Sequence, residues 1–303
     1  MSVQSWCAWF WDWTGAEIAT ALAGTLVIGL LYFILRRSPR RWWFYVWLAG
    51  IPLAVLVVFI QPIAIDPLFN TFKPPGKTHR DLVNSAEKLL ARAGLDIPPE
   101  HIYLAKVSDK TIAPNAYAEG LGPTKRIFVE DIIASESSAA ILHTLGHEIG
   151  HYMLAADWIA FGIFIPLLLG LLYLVDRLFR WALGRWGPRW SIRGPEDFGS
   201  LPMVALIVFV MVAVVTPAAN ALSRYREHEA DRYGLELIQG IVPNGGEAAA
   251  QAFQKDGEID LSDPAPPRWI EWWLFDHPPV NERIIFCRTY DPWSEGRVTK
   301  YVK

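Results

Sequence analysis

Cysteine is scarce in this sequence of 303 residues, where Cys7 and Cys287 are the only two. So few cysteines exclude a disulfide framework and any zinc site built from cysteine alone. A strong net charge is also lacking, because 28 Lys and Arg residues nearly balance 31 Asp and Glu residues. Nucleic acid is therefore not expected as a partner, since domains that bind it carry a clear basic surplus.

Charged residues are missing altogether from four long windows: residues 18–35, 42–65, 158–175 and 198–223. At about 1.5 Å of rise per residue, a helix of such length crosses a hydrocarbon core about 30 Å thick. Trp42, Trp158 and Trp190 lie at or near window ends, where the headgroups of a bilayer would be. The windows predict four transmembrane helices in contact with a lipid bilayer. The opening "MSVQSWCAWFWDWTGAE" has no basic n-region, so the first helix is expected to remain as an anchor.

The segments between the windows read as a small α+β part. "THRDLVNSAEKLLARAGL" has helical spacing and ends at Gly94, whereas "HIYLAKVS" and "RIFVEDII" read as short strands. "SRYREHEADRYGLELIQG" predicts a helix that ends near Gly240, and the Pro, Gly and Asp content of residues 242–267 predicts a loop. The predicted fold class is a mainly α-helical integral membrane protein, with about four transmembrane helices and a small α+β subdomain at the membrane surface.

The predicted domain boundaries follow the windows. Residues 1–65 hold the N-terminal segment and transmembrane helices 1 and 2, and residues 158–223 hold helices 3 and 4. Residues 66–157 form the soluble α+β part with the helix that bears the candidate site. Residues 224–303 complete that part after the fourth window.

The pentapeptide HEIGH, in "ILHTLGHEIGHYMLAADWIAFGIF", carries the candidate chemistry. His147 and His151 are four residues apart, so on a helix their imidazoles share one face and can bind one zinc ion. Glu148 can reach a metal-activated water and take its proton. The alternative for the pentapeptide alone is a solvated helix face. No Pro follows it, so we predict that the helix continues into the third window.

A third ligand is expected from "REHEAD", directly after the fourth window. The third and fourth windows form a hairpin, so Tyr152 and Ser223 emerge on the same side of the membrane. Glu227 and Asp231 share a helix face, which suits one as ligand and the other as acceptor of a ligand histidine's N–H. Glu229 lies roughly opposite, although spacing alone leaves it open. The alternative for the cluster is a solvated polar cap.

Six motifs occur in a fixed order: "IDPLFNTFKP", "PNAYAEG", "KRIFVED", "LGHEIGH", "LSRYREHEAD" and "HPPVNERI". Over residues 46–283 the chain resembles the type 1 CaaX prenyl proteases, a family of integral-membrane zinc metallopeptidases that includes bacterial heat-shock membrane proteases. Two features depart from that family. Only four membrane helices are predicted, against seven in the eukaryotic members, and His143 stands where a small or apolar residue is usual.

The resemblance implies a zincin-like subdomain that binds one Zn²⁺ per chain and cuts peptide or membrane-protein substrates. The implied metal ligands are His147, His151 and Glu227. The implied catalytic residues are Glu148, His277 and Asp231, the last as the partner of a ligand histidine. The implied substrate-binding residues are Asn115, beside an edge strand, and Arg283, facing the cleft.

The predicted function is a zinc metalloendopeptidase for membrane-associated or unfolded polypeptides. Three alternatives stay open: CaaX-type processing of prenylated C-terminal tails, an intramembrane-cleaving protease with an aspartate ligand in a later membrane helix, and a zinc-binding membrane scaffold without turnover. The charged surroundings of Glu227 disfavour the second alternative, and the intact Glu148 disfavours the third. The sequence leaves the oligomeric state open.

Orientation in a bacterial-type cytoplasmic membrane is predicted from arginines in the two loops opposite the candidate site. The positive-inside rule makes such loops cytoplasmic, which puts the site on the extracytoplasmic side. The resemblance favours the cytosolic side instead. The loop arginines are Arg36, Arg37, Arg40, Arg41, Arg177, Arg180, Arg185, Arg189 and Arg193.

Overall fold

The computed structural model describes residues 3–60, 71–73, 80–95, 101–112, 116–119, 126–132, 138–154 and 156–302. The chain divides into two compact units. The helical unit comprises Gln4–Val58 and Trp158–Thr216. The sheet unit comprises Met1–Val3, Phe59–Asp157 and Pro217–Lys303.

Helices precede and follow the strands along the chain. The first half contains α1 (Trp6–Arg37), α2 (Trp42–Ile60), β1 (Thr71–Lys73), α3 (Arg80–Arg92), β2 (Ile102–Lys106), β3 (Ala116–Glu119) and β4 (Arg126–Glu130). The second half contains α4 (Ser138–Met153), α5 (Ala156–Trp186), α6 (Leu201–Ile238), α7 (Gly245–Asp260), α8 (Arg268–Leu274) and α9 (Val280–Thr289). Short 3₁₀ turns at Gly187–Trp190 and Phe198–Ser200 lie between α5 and α6.

The helical unit bears out the expectation of membrane helices. Among the described residues, three helices are long and apolar enough to cross a membrane, over Trp6–Arg37, Gly162–Trp190 and Phe198–Ile238. A further apolar helix is shorter where its side chains are described, over Trp42–Val55. Each charge-free window thus coincides largely with a helix, and the outward faces stay apolar, as a lipid environment requires.

Polar contacts join the helices of this unit at the arginine-bearing end. The indole N–H of Trp42 donates to the buried Asp176 at 2.6 Å, and Arg180 donates to the other oxygen of Asp176 at 2.9 Å. The hydroxyls of Tyr32 and Ser200 are hydrogen-bonded at 3.1 Å. The buried carboxylate of Asp176 is therefore hydrogen-bonded both from α2 and from within α5.

The sheet unit has a four-stranded sheet in the order β1-β2-β4-β3. β2 and β4 are parallel, whereas β1 and β3 run antiparallel to their neighbours. β2 and β4 lie inside the two segments predicted as strands. α3 also forms where helical spacing predicts it and ends before Gly94, whose φ of +70° suits glycine.

Helix α4 is held in the core of the sheet unit by its apolar side. Leu145 and Ile149 are buried in one cluster with Leu89 of α3 and Ile127 of β4. The same cluster includes residues of α7, such as Ala249. The polar residues that α4 carries are therefore fixed by packing on the opposite side of the helix.

Two predictions about segments are wrong. The loop predicted over residues 242–267 contains α7, because the helix-favouring run after Gly246 outweighs the glycines that indicated a loop. The helix of HEIGH does not continue into the third window, since α4 ends at Met153 and α5 begins at Ala156. No Pro or Gly marks that break, so it depends on tertiary packing. After the fourth window, by contrast, α6 runs unbroken to Ile238, close to the predicted end at Gly240.

Candidate metal centre

Three glycines let α4 and α6 approach each other closely. A Cβ added at Gly234 of α6 would lie 2.9 Å from the backbone nitrogen of His147. A Cβ at Gly146 would lie 3.2 Å from the Cα of Gly234, and one at Gly150 would lie 3.1 Å from the carbonyl oxygen of Ala230. Side chains at these positions would separate the helices. Their absence brings the histidines of α4 against the acidic residues of α6.

Three side chains converge at this crossing. The Nε2 atoms of His147 and His151 are 3.1 Å apart. Glu227 approaches both, with Oε2 at 3.3 Å from Nε2 of His147 and Oε1 at 3.1 Å from Nε2 of His151. Bonds of about 2.05 Å at tetrahedral angles put the ligands of zinc about 3.3 Å apart. The three separations are of this size, although the two to Glu227 involve different oxygens of its carboxylate.

Asp231 and Arg283 hold His147 from behind. Nδ1 of His147 lies 2.8 Å from Oδ1 of Asp231, so in the neutral imidazole Nδ1–H donates to Asp231 and the lone pair of Nε2 points toward Glu227 and His151. Arg283 donates to both oxygens of Asp231, at 2.8 Å from Nε and 2.6 Å from Nη2. Its guanidinium also lies 3.9 Å from the ring centroid of Phe253. This chain of contacts fixes the imidazole in one orientation.

The surroundings favour a positive ion between these side chains. Oε2 of Glu227 is buried and has no hydrogen bond of good geometry. Burial lowers the pKa of His147, but its contacts with Asp231 and Glu227 outweigh burial and raise that pKa to about 9. Two nitrogen donors and one carboxylate fit a divalent metal, and among the described residues these three form the group that could hold one.

Glu148 lines a cavity of about 660 Å³ next to the metal-binding group. Burial raises the pKa of its carboxyl above the ordinary value. A carboxylate of raised pKa is a better proton acceptor near neutral pH. His147, Glu227 and His277 line the same cavity, so all four polar side chains face one space.

His277 lies at the open side of this cavity. Its Nε2 is 3.5 Å from Oε2 of Glu227, and its Nδ1 is 2.9 Å from a carboxylate oxygen of Asp276. Half of its side chain is exposed, whereas His143 and His147 are buried. Asn115 lies outside the described residues. Arg283 lines the cavity, but its guanidinium donates hydrogen bonds to Asp231.

Glu229, the ligand that spacing left open, points elsewhere. Its carboxylate accepts hydrogen bonds from Arg232, Lys300 and the hydroxyl of Tyr301. Two turns further along α6, the fully buried Glu236 accepts from the backbone N–H groups of residues 300–302 and from a tyrosine hydroxyl. This network was not predicted from the sequence, because no local spacing connects α6 with residues near 300.

His143 is also buried, one turn before His147 on α4. Its ring meets that of Phe253 edge to face at a centroid distance of 5.0 Å. Burial lowers the pKa of His143 to about 3, so the imidazole stays neutral. Among the described residues, the group that could hold a metal comprises His147, His151 and Glu227 and does not include His143.

The fold and the site together define an integral membrane protein with a metal centre of two histidines and one glutamate, next to a second glutamate that lines the adjacent cavity. The chain belongs to peptidase family M48, whose model matches residues 77–290. The model described as CAAX prenyl protease N-terminal, five membrane helices, matches residues 1–71. The predicted resemblance is thereby confirmed.

Curated relatives and a solved structure agree with this family. The chain is 33% identical to the uncharacterized metalloprotease YhfN of Bacillus subtilis, over 94% of this chain and 65% of that protein. It is 28% identical to a CAAX prenyl protease 1 homolog of Dictyostelium discoideum, over 71% of this chain and 50% of that protein. The crystal structure of S. mikatae Ste24p matches with a TM-score of 0.79 at 21% identity, over 95% of this chain and 68% of that one, and shows the shared fold. The chain thus spans less than two thirds of the length of these curated relatives.

Proposed function

We propose that this protein is a zinc-dependent endopeptidase that hydrolyses membrane-associated or unfolded polypeptides. The observation that carries the proposal is the convergence of His147, His151 and Glu227, with Glu148 lining the adjacent cavity. These two imidazoles and one carboxylate would supply three protein ligands to a zinc ion, the number that catalytic zinc sites use. A structural site would have four protein ligands.

In this mechanism His147, His151 and Glu227 hold the metal, and Asp231 keeps His147 in the tautomer that presents Nε2. A bound zinc supplies a Lewis acid that polarises the scissile carbonyl and lowers the pKa of the attacking water. Glu148 accepts a proton from that water and delivers it to the leaving amine. In its doubly protonated form, His277 would donate Nδ1–H to Asp276 and Nε2–H to the developing oxyanion.

The edge of the sheet supports a binding mode for an extended substrate. β3 pairs with β4 on one side, and within the described residues no strand pairs with its other side. An extended peptide can add there as a further strand through main-chain hydrogen bonds, with few demands on its side chains. Asn115 directly precedes β3, and its predicted role is to hold the substrate backbone.

Replacing Glu148 by Gln tests the activity. Hydrolysis of an unfolded or membrane-tethered peptide should fall by at least about 100-fold, the usual contribution of a general base, while zinc stays bound. Metal analysis and cleavage assays on purified Glu148→Gln and wild-type protein measure both. Zinc bound by a wild-type protein that cuts no peptide would instead favour the non-catalytic scaffold, and undiminished cleavage by Glu148→Gln would rule out the mechanism.

CaaX-type processing is a second candidate, favoured by the relatives named CAAX prenyl protease 1. It requires that a prenylated peptide is cut faster than the same peptide without the lipid. A pair of peptides that differ only in the prenyl group separates this candidate from the broader endopeptidase. Equal rates for the two peptides would contradict CaaX specificity.

The orientation proposed for the membrane rests on the loop arginines. Eight of the nine are exposed, and α6 begins after the second arginine-bearing loop and carries Glu227 beyond its apolar run. The positive-inside rule then makes the site extracytoplasmic in a bacterial-type cytoplasmic membrane. A cysteine is placed at Ser191 or at Val298, with Cys7 changed to Ser and the buried Cys287 kept, and intact cells are treated with a membrane-impermeant thiol reagent. We expect labelling at Val298 and protection at Ser191, and the reverse pattern would establish a cytosolic site.

A further inference from the structure

Helix α8 exposes more aromatic surface than a short helix on a water-soluble face would. None of its residues is buried. Trp269 is 70% exposed, Trp272 53%, Trp273 42% and Leu274 68%. Large apolar side chains that stand together in this way mark a surface that meets a partner.

The position of α8 along α6 indicates which partner that is. The side-chain amide of Asn220 donates to the carbonyl oxygen of Trp273 at 2.8 Å. Arg224 donates to the carbonyl oxygens of Glu271 and Phe275. Asn220 belongs to the last turn of the charge-free window 198–223, and Arg224 is the first charged residue after it. α8 is therefore attached to α6 at the level where the apolar run ends.

That level is where a bilayer changes from hydrocarbon to headgroups. Tryptophan is enriched there because its ring is largely apolar and its N–H remains hydrogen-bonded to water or lipid. Leu222 and Tyr225 of α6 are also exposed, at 39% and 60%, so other faces of α6 at this level present apolar side chains as well. Arg268 starts α8 with a charge, as is usual for a helix that lies along a membrane surface.

We propose that α8 is an interfacial anchor, whose tryptophans insert into the headgroup region of the bilayer beside the end of the transmembrane part of α6. The chain continues from Leu274 through Phe275 and Asp276 to His277, and all four residues line the cavity of the metal centre. The anchor thus fixes one wall of that cavity at the membrane surface. This consequence for substrate access rests on the proposed function, whereas the anchor itself does not.

The depth of α8 in a bilayer is the direct test. The full chain, with Cys7→Ser and Trp272→Cys, is labelled with a nitrobenzoxadiazole fluorophore and reconstituted into vesicles of phosphatidylcholine and phosphatidylglycerol. Cys287 stays unlabelled because it is buried and burial raises its thiol pKa. Lipids that carry a doxyl quencher at the headgroup or in the acyl chain report the depth. The matched control is Val298→Cys, which is 84% exposed and lies outside α8.

We expect the fluorophore at position 272 to lie about 5 to 10 Å below the headgroup surface and the control to remain unquenched. Quenching at position 272 no greater than at position 298 would overturn the proposal. A second result would also overturn it: the lipid quenchers have no effect on the label, but an added apolar peptide protects the label from quenching by aqueous iodide. The tryptophans would then bind substrate and not lipid. The same measurement on protein that also carries Glu148→Gln separates this outcome from any failure of catalysis.

Discussion

Replacing Gly234 by alanine should loosen the metal centre without touching any ligand. The added Cβ would lie 2.9 Å from the backbone nitrogen of His147 and 3.1 Å from the carbonyl carbon of Gly146. Ordinary contact begins at 3.4 Å, so the two helices must separate by roughly 0.5 Å. Metal–ligand distances tolerate only about 0.2 Å. Because His147 and His151 lie on one helix and Glu227 on the other, the separation acts directly on the ligand set.

The effect on stability should be smaller than the effect on metal binding. Overpacking costs about 1 to 3 kcal/mol, whereas alanine gains about 1 kcal/mol over glycine in a helix. The free energy of unfolding should therefore fall by about 0 to 2 kcal/mol. Zinc affinity should fall by about 10 to 100-fold, as when a partner that orients a ligand is lost.

Zinc affinity is measured by competition with a chelating dye, on protein shown to be folded by its thermal unfolding. The matched control is Gly184→Ala in α5, where an added Cβ has nothing within 4 Å. The control should keep wild-type zinc affinity. Wild-type affinity in Gly234→Ala would refute the reasoning that the glycine contact sets the ligand geometry.

The remaining predictions concern the acidic residues of α6. Glu227→Gln should weaken zinc binding more than Asp231→Asn, for which a loss of about 10 to 100-fold is expected. Glu229→Gln should leave zinc affinity near the wild-type value. Loss of zinc in Glu229→Gln alone would contradict this ligand set. Glu236→Gln should lower the free energy of unfolding by about 1.5 to 3 kcal/mol in a denaturant titration, because a buried carboxylate loses charge-assisted hydrogen bonds. The control is Glu258→Gln at an exposed position, which should change the free energy of unfolding by less than about 0.5 kcal/mol. Equal effects of the two substitutions would show that the buried network around Glu236 is not stabilising.

What could be predicted from the sequence was the part that depends on local geometry. The four-residue spacing of His147 and His151 sufficed to place them together, because a helix puts such residues on one face. The same spacing paired Glu227 with Asp231. Spacing favoured Glu227 over Glu229 as the ligand but could not decide between them, since Lys300 and Tyr301, which bind Glu229, lie about 70 residues later.

Features that depend on packing between distant segments were not visible in the sequence. The end of α4 at Met153 has no breaker residue, and α7 follows a pair of glycines that indicated a loop. The glycine contact between Gly146 and Gly234 is likewise a property of two helices and not of either sequence motif alone. Each of these required the tertiary structure.

Three residues of α6 that make key contacts are spaced seven residues apart. Asn220 binds α8, Glu227 approaches the histidines, and Gly234 touches α4. Seven residues span about 10.5 Å and return to nearly the same face, so the three functions form one stripe. Inserting a single residue between two of them would rotate the following residue by about 100° around the helix axis. Insertions and deletions in this part of α6 are therefore tolerated only in lengths that keep the three residues on one face, whereas its outward-facing residues can be substituted freely.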